Sequence, residues 1–286
     1  MSVPRPAERT APATSARPAV EPAPASAEPR SILSDITIEH GPADMLGRFF
    51  LKADTAARRR GVFLSFAPLQ ELVDINRHYQ ETWRPLLPLF DPAAGGITPD
   101  NSFCIIGRDA KGEVVATQAA RLYDWQNTSF HEEAESLRLL YADPERSKLP
   151  GETIEVTARD ARRVTGRVTF AGGAWYRPDF RGRQLAPIFT RLGRACAYTR
   201  WKHEYQTSVM VEAMQARTGM AAKSGYSKMD WAVTFKGSIC GPTEAIRCAL
   251  VWMDADEMLS GIEEFLTDFD AQVDLGVGER RAQQHG

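Results

Sequence analysis

The chain is 286 residues long, 43% hydrophobic and 25% charged, with a formal net charge of −2. That is enough to bury a sizeable core in one domain or at most two, and the near-neutral balance argues against a general nucleic-acid or membrane-surface protein. No apolar run approaches the ~20 residues of a membrane span.

The chain opens on proline, alanine and charge with no apolar periodicity. Residues 1–31 are therefore expected to be a disordered arm, unable to bury enough surface to offset the entropy of ordering. Ile36–Ile38 predicts a short strand, and Pro42 to Ala57 a helix ending beside Arg58, Arg59 and Arg60, charges that suit its negative end. Residues 61–66 read as a strand, Pro68 to Trp83 as a helix, and 85–99, rich in proline and glycine, as a loop. A hairpin follows over 101–125, turning at Asp109-Ala110-Lys111-Gly112. Phe130 to Tyr141 predicts a helical piece, 153–156 a short strand, and 158–164 one helical turn.

The stretch from Gly172 to Trp201, GGAWYRPDFRGRQLAPIFTRLGRACAYTRW, stands out. The β-branched and aromatic run from Arg167 to Tyr176 predicts a strand that Pro178 closes. Leu185, Ile188, Phe189, Leu192 and Cys196 keep to one face of a helix, with Pro187 in its first turn, where a missing N–H costs nothing. Between them lies Arg181-Gly182-Arg183-Gln184-Leu185-Ala186. A helix N-terminus carries unpaired N–H groups and about half a positive charge. Two arginines and a glycine there suit a phosphate cradle as well as they suit a basic surface turn. Residues 206–211 then predict a strand, 212–224 a helix stopping at Gly225, and 226–235 with 245–252 a hairpin joined through 237–242. Asp254 caps a last helix to Leu266, and 267–286 is expected to fray.

The strand, the arginine-glycine turn and the helix resemble the acyl-CoA-binding segment of the GNAT (Gcn5-related N-acetyltransferase) superfamily. Its pattern Gln/Arg-x-x-Gly-x-Gly/Ala is matched by Arg181 first and Ala186 last, with Gln184 where the central glycine is expected. The run Ala221-Ala222-Lys223-Ser224-Gly225-Tyr226 adds the family's helix-ending glycine and following aromatic residue. The order of elements over 61–253 is similar to the family's, and 127–163 reads as an insertion. This resemblance implies a divergent GNAT member: a single domain over 32–266 of α/β (α+β) class, with a mixed, mostly antiparallel central sheet flanked by helices. It implies an N-acyltransferase moving an acyl group from acetyl-CoA or a longer acyl-CoA to an amine. The backbone of Trp175 and Tyr176 would lie along the pantetheine arm, and Arg181, Gly182, Arg183, Gln184, Leu185 and Ala186 would hold the pyrophosphate.

The catalytic side chains are harder to place. The central strand lacks the family's glutamate, Ala222 stands where a tyrosine is common, and Met214 where an asparagine is common. His131 and Glu132 on the insertion and Glu155 after it are the candidate bases, along with Glu133; each also reads as a plain solvated charge. Catalysis by approximation, with water taking the proton, is chemically adequate. A pocket ringed by Trp83, Trp125 and Trp175 would suit a longer acyl group. The alternative is a non-catalytic GNAT-like binding or regulatory module. The four cysteines, Cys104, Cys196, Cys240 and Cys248, show no CxxC or zinc spacing, so no metal site and a reducing, cytoplasmic setting are expected.

Overall fold

The computed structural model describes residues 30–237 and 245–269. The arm expected over 1–31, the tail over 267–286 and the connection after Gly237 lie almost wholly outside the described residues, as does Cys240.

Eight strands form one sheet: β1 (Phe63–Ala67), β2 (Ser102–Arg108), β3 (Val114–Trp125), β4 (Thr153–Val156), β5 (Gly166–Tyr176), β6 (Tyr205–Val211), β7 (Lys228–Lys236) and β8 (Ala245–Asp254). Their order is β1-β2-β3-β5-β6-β8-β7-β4, and every neighbouring pair is antiparallel except β5 with β6. This is the mixed, mostly antiparallel sheet expected from the sequence. The order of its first five strands follows the chain, apart from β4.

The helices are α1 (Ala43–Arg59), α2 (Leu69–His78), α3 (Phe130–Glu135), α4 (Pro144–Ser147), α5 (Leu185–Trp201), α6 (Glu212–Thr218), α7 (Met220–Lys223) and α8 (Ala255–Thr267). One face of the sheet is covered by α1, α5 and α8, whose Phe49, Leu46, Ile188, Phe189, Leu192, Ile262 and Phe265 are almost fully buried. Removing that much apolar surface from water is the main force holding the layers together. The other face carries α2, the proline-rich loop and the insertion, built around Phe90, Phe130, Leu139, Leu140 and Phe170. Asp254 closes α8 with a capping box shared with Glu257.

Several elements depart from the sequence pattern, each for a tertiary reason. Ile36–Ile38 is not a strand: Ser31 caps a 3-10 turn over Ile32–Asp35, and Ile36 and Ile38 pack singly against the helical face. The α2 helix stops at His78 rather than Trp83. Asn76 holds the chain back, donating to the Arg84 carbonyl and accepting from the Leu86 N–H, while Tyr79 and Trp83 turn to pack on Trp175. Helix α3 stops at Glu135 because Leu137, at φ 64°, swings the chain so that Leu137, Leu139 and Leu140 all reach the core. The 212–224 helix is broken at Gly219, whose φ of 59° ends α6, and the Gln215 side chain accepts from the Ala221 N–H to start α7. The chain does turn at Gly225, as expected.

Candidate functional site

Strand β5 is paired unevenly on its two sides. It runs beside β3 for its whole length, but meets β6 only at Val168, Thr169 and Phe170, opposite Tyr205, Gln206 and Thr207. Beyond those residues the two strands part, leaving the β6-facing backbone groups of the second half of β5 without a strand partner. A bulge falls in the same half, where the β3 register slips between Thr117 and Ala119. It is fixed by side chains: the Thr117 hydroxyl donates to the Gly173 carbonyl at 2.7 Å and Gln118 Nε2 to the Gly172 carbonyl at 3.2 Å. Gly172 must be glycine, since a Cβ there would sit 2.4 Å from the Phe90 ring, and Gly173 takes a φ of 59°.

At the open end of this cleft lies the basic turn. Arg177 is its clamp, with Nη2 3.0 Å from Asp109 and Nε 2.7 Å from Asp179. The Arg177 hydrogen bond holds the Asp179 carboxyl below its ordinary range despite some desolvation. For Asp109 burial pushes the other way, but the Glu113 and Lys111 N–H groups and Arg177 outweigh it. Arg181 donates to the carbonyls of Tyr176 (3.0 Å) and Thr82 (3.3 Å). Arg183 lies 3.9 Å over the Phe180 ring and donates to the Asp179 carbonyl, and Arg60 reaches across from α1 to the Arg183 carbonyl at 2.8 Å. Gly182 has φ 73° and Gln184 φ 57°, so the chain enters α5 through left-handed residues. The first N–H groups of α5 have no intrahelical acceptor; Gln184 supplies no side-chain cap, and the first turn holds no acid.

The remaining sequence candidates are distributed as follows. Trp175 is buried toward α2, its indole N–H donating to Thr82 Oγ1 and its ring stacked on Trp83 at 5.5 Å and against Tyr79 at 4.5 Å. Tyr176 points the opposite way, under α5 against Phe189, and burial raises its phenol pKa. Trp125 does not join the Trp83–Trp175 stack; it packs on Tyr123 and Phe130 within the insertion. His131 is buried, 2.6 Å from Arg162 and 3.2 Å from Glu135. Glu132 accepts from Thr128 and Ser129, hydrogen bonds that lower its pKa. Glu133 pairs with Arg138 and Glu155 with Lys236. Glu155 stands on β4, four strand spacings from β5, or about 19 Å. The structure does not bring these four acid–base candidates to the cleft. A shallow depression of about 610 Å3, lined by Asn127, Thr128, Glu132, Glu135, Ser136 and Arg138, opens on the insertion instead. Among the described residues no group of three or more His, Cys, Asp or Glu side chains could hold a metal ion.

Sequence reasoning missed a polar interior beneath α5. Arg191 and Arg194 interrupt the apolar face of that helix, and that interruption was the readable signal. Arg194 is 4% exposed and donates to the Ser224 carbonyl at 2.6 Å. His203 is equally buried, and burial lowers its pKa to about 3, helped by the nearby Arg194 and Arg167.

No family model and no curated protein matches this chain. Among solved structures it is similar to Arabidopsis thaliana NAA60 in complex with acetyl-CoA (10% identity, TM-score 0.39, 68% of this chain and 99% of that one). It is also similar to an acetyltransferase of the GNAT family from Streptococcus pneumoniae (10%, 0.39, 68% and 99%) and to the spermidine N-acetyltransferase SpeG from Vibrio cholerae (8%, 0.39, 70% and 96%). Its own strand order, parted parallel pair and turn between β5 and α5 give a mixed, mostly antiparallel sheet flanked by helices in a GNAT-like arrangement, with a long segment that contributes β4 between β3 and β5.

Proposed function

We propose that this chain is an acyl-CoA-dependent N-acyltransferase. The observation that carries the proposal is the cleft between β5 and β6, which opens onto an uncapped helix N-terminus ringed by arginines and free of acid. Such an end attracts a pyrophosphate through its N–H groups and its dipole. From Phe170 to Tyr176 the unpaired edge of β5 runs about 20 Å, room for an extended pantetheine arm whose amides continue the ladder that β6 abandons.

The chemistry then needs modest help. The thioester is held while the amine attacks; a backbone N–H at the Gly173–Ala174 bulge, where two β5 residues face Gln118 alone, would receive the developing oxyanion. The amine proton leaves to water or to a side chain at the cleft mouth. The half-buried Tyr79 and Trp83 beside Trp175 form an aromatic wall next to β5, suited to a cationic or apolar acceptor. The reading of a non-catalytic binding module draws support from Gln184, whose side chain stands at the left-handed position of the turn, and from Ala222, which offers no proton.

Calorimetric titration with acetyl-CoA and a longer acyl-CoA tests the proposal. Micromolar binding that weakens roughly tenfold in Arg181→Ala supports it, and release of CoA on adding amines extends it to catalysis. No binding of either donor by folded protein would overturn it. Binding by Gln184→Gly alone would favour the non-catalytic reading.

A further inference from the structure

Phe90 lies against the part of β5 that borders the cleft. It is 1% exposed, and its ring packs on the bare backbone of Gly172, where an added Cβ would meet Cε2 at 2.4 Å and Cζ at 2.8 Å. The same ring stands 6.1 Å from that of Phe170, the last β5 residue paired with β6. Gly172 follows two residues later, within the stretch that β6 leaves.

The ring is fixed from behind. It ends the 3-10 turn Pro88–Phe90, and Arg121 of β3 donates through Nη1 to the neighbouring Leu89 carbonyl at 2.9 Å. Arg121 is 5% exposed, and Gly96 leaves room for its guanidinium, since a Cβ there would lie 2.6 Å from Nη2. The guanidinium rests 4.7 Å from the centre of the Tyr123 ring, whose hydroxyl donates to the Leu139 carbonyl, and the Ala142 N–H donates to the Ala94 carbonyl. The proline-rich loop is thereby tied to both the sheet and the insertion. Burying a guanidinium is costly; what this one secures is the backbone beside Phe90.

The ends of the cleft orient a donor. With its pyrophosphate at α5 and its thioester carbonyl at the Gly173–Ala174 bulge, the acyl carbons lie toward Gly172 and Ala171. The strands close at Phe170 and Thr207. Residues 171–173 span about 10 Å. Phe90 occupies one face of that length. On the other, α5 packs so closely that a Cβ on Gly193 would come 3.0 Å from Gln118.

We propose that Phe90, positioned by Arg121, sets the length of the acyl group and restricts the donor to short chains, acetyl or propanoyl. This rests on the acyl-CoA reading and names the donor class. A longer chain must displace the ring, and a close-packed ring moves only by straining its neighbours. The Trp83–Trp175 stack lies past the bulge and does not widen this end.

Calorimetry on the full chain with CoA and its acetyl, butanoyl, hexanoyl and octanoyl thioesters tests the proposal, with no acceptor present. Wild type should bind octanoyl-CoA about tenfold more weakly than acetyl-CoA. Phe90→Ala should reverse that order, each added methylene gaining about fourfold, while affinity for CoA itself holds. Phe90→Leu keeps more of the core filled and should shift the preference part of the way; so should Arg121→Met, which releases the Leu89 carbonyl. A merely structural role for either residue would lower stability and leave the ranking of chain lengths unchanged. Wild type that binds octanoyl-CoA as tightly as acetyl-CoA, or an unchanged ranking in folded Phe90→Leu, would overturn this inference alone. An unchanged ranking in folded Arg121→Met would overturn the positioning role of Arg121. Absence of binding to CoA and to every thioester would overturn the inference together with the acyltransferase reading.

Discussion

The arginines of the turn and those beneath α5 belong to one continuous segment but have opposite surroundings. Arg177 is held between two carboxylates, and Arg181 and Arg183 reach toward solvent from a frame of backbone carbonyls. Arg194 lies inward and Arg191 is half-buried beside it, and among the described residues both donate to backbone carbonyls rather than to a carboxylate. In the turn, charge is used to shape backbone, and water screens what remains. In the interior, where screening is weak, the same residue type holds a fixed potential. The turn should therefore tolerate substitution with local losses, whereas the interior should respond strongly to changes in volume and protonation.

The largest expected effect tests the close approach in the cleft wall. Gly172→Ala forces a Cβ into the Phe90 ring and should destabilise the fold by about 3 kcal/mol, read as a lowered midpoint in denaturant. Next comes protonation. His203 ionises near pH 3 in the fold against 6.5 in an ordinary setting, so its contribution is complete above pH 6.5 and is lost as pH falls toward 3. Between pH 7 and 4.5 wild type should lose about 2–3 kcal/mol more than His203→Gln, measured by urea unfolding at both values. An equal loss in the two proteins would contradict the buried, neutral histidine.

Effects in the turn should be smaller. Gln184→Gly removes a left-handed non-glycine residue and should raise stability by up to about 1 kcal/mol, with tighter acyl-CoA binding. Arg177→Ala should change stability by less than about 1 kcal/mol while weakening acyl-CoA severalfold, because Asp109 and Asp179 no longer fix the loop. If Arg177→Ala proved as damaging as protonation of His203, which is buried beside Arg194, the contrast between the two regions would fail.

Strands β2, β3, β5, β6 and β8 and helices α1, α5 and α8 were legible because their periodicity and their capping residues, such as Asp254, agree with the packing that surrounds them. The departures fall where one side chain outweighs local pattern: Asn76 ends α2 early, and Leu137 ends α3. The turn of the candidate site was legible as a motif, including the odd residue Gln184. The unpaired stretch of β5 was not, because a strand's sequence does not say where its neighbour stops pairing. The contact of Arg194 with the Tyr226 ring joins residues far apart in the chain, and only the bend at Gly225 brings them together.

The edge strand β4 has a consequence for the order of assembly. It comes from the middle of the chain yet pairs with β7, Thr153 against Lys236 and Val156 against Val233. The insertion therefore cannot complete its ladder until the C-terminal hairpin has been synthesised, and a nascent chain paused before β7 would present an unpaired strand. Contacts this distant in sequence slow folding. Amide protons of β4 should accordingly become protected in the same late step as those of β7, joining the insertion and the C-terminal hairpin into one cooperative folding unit.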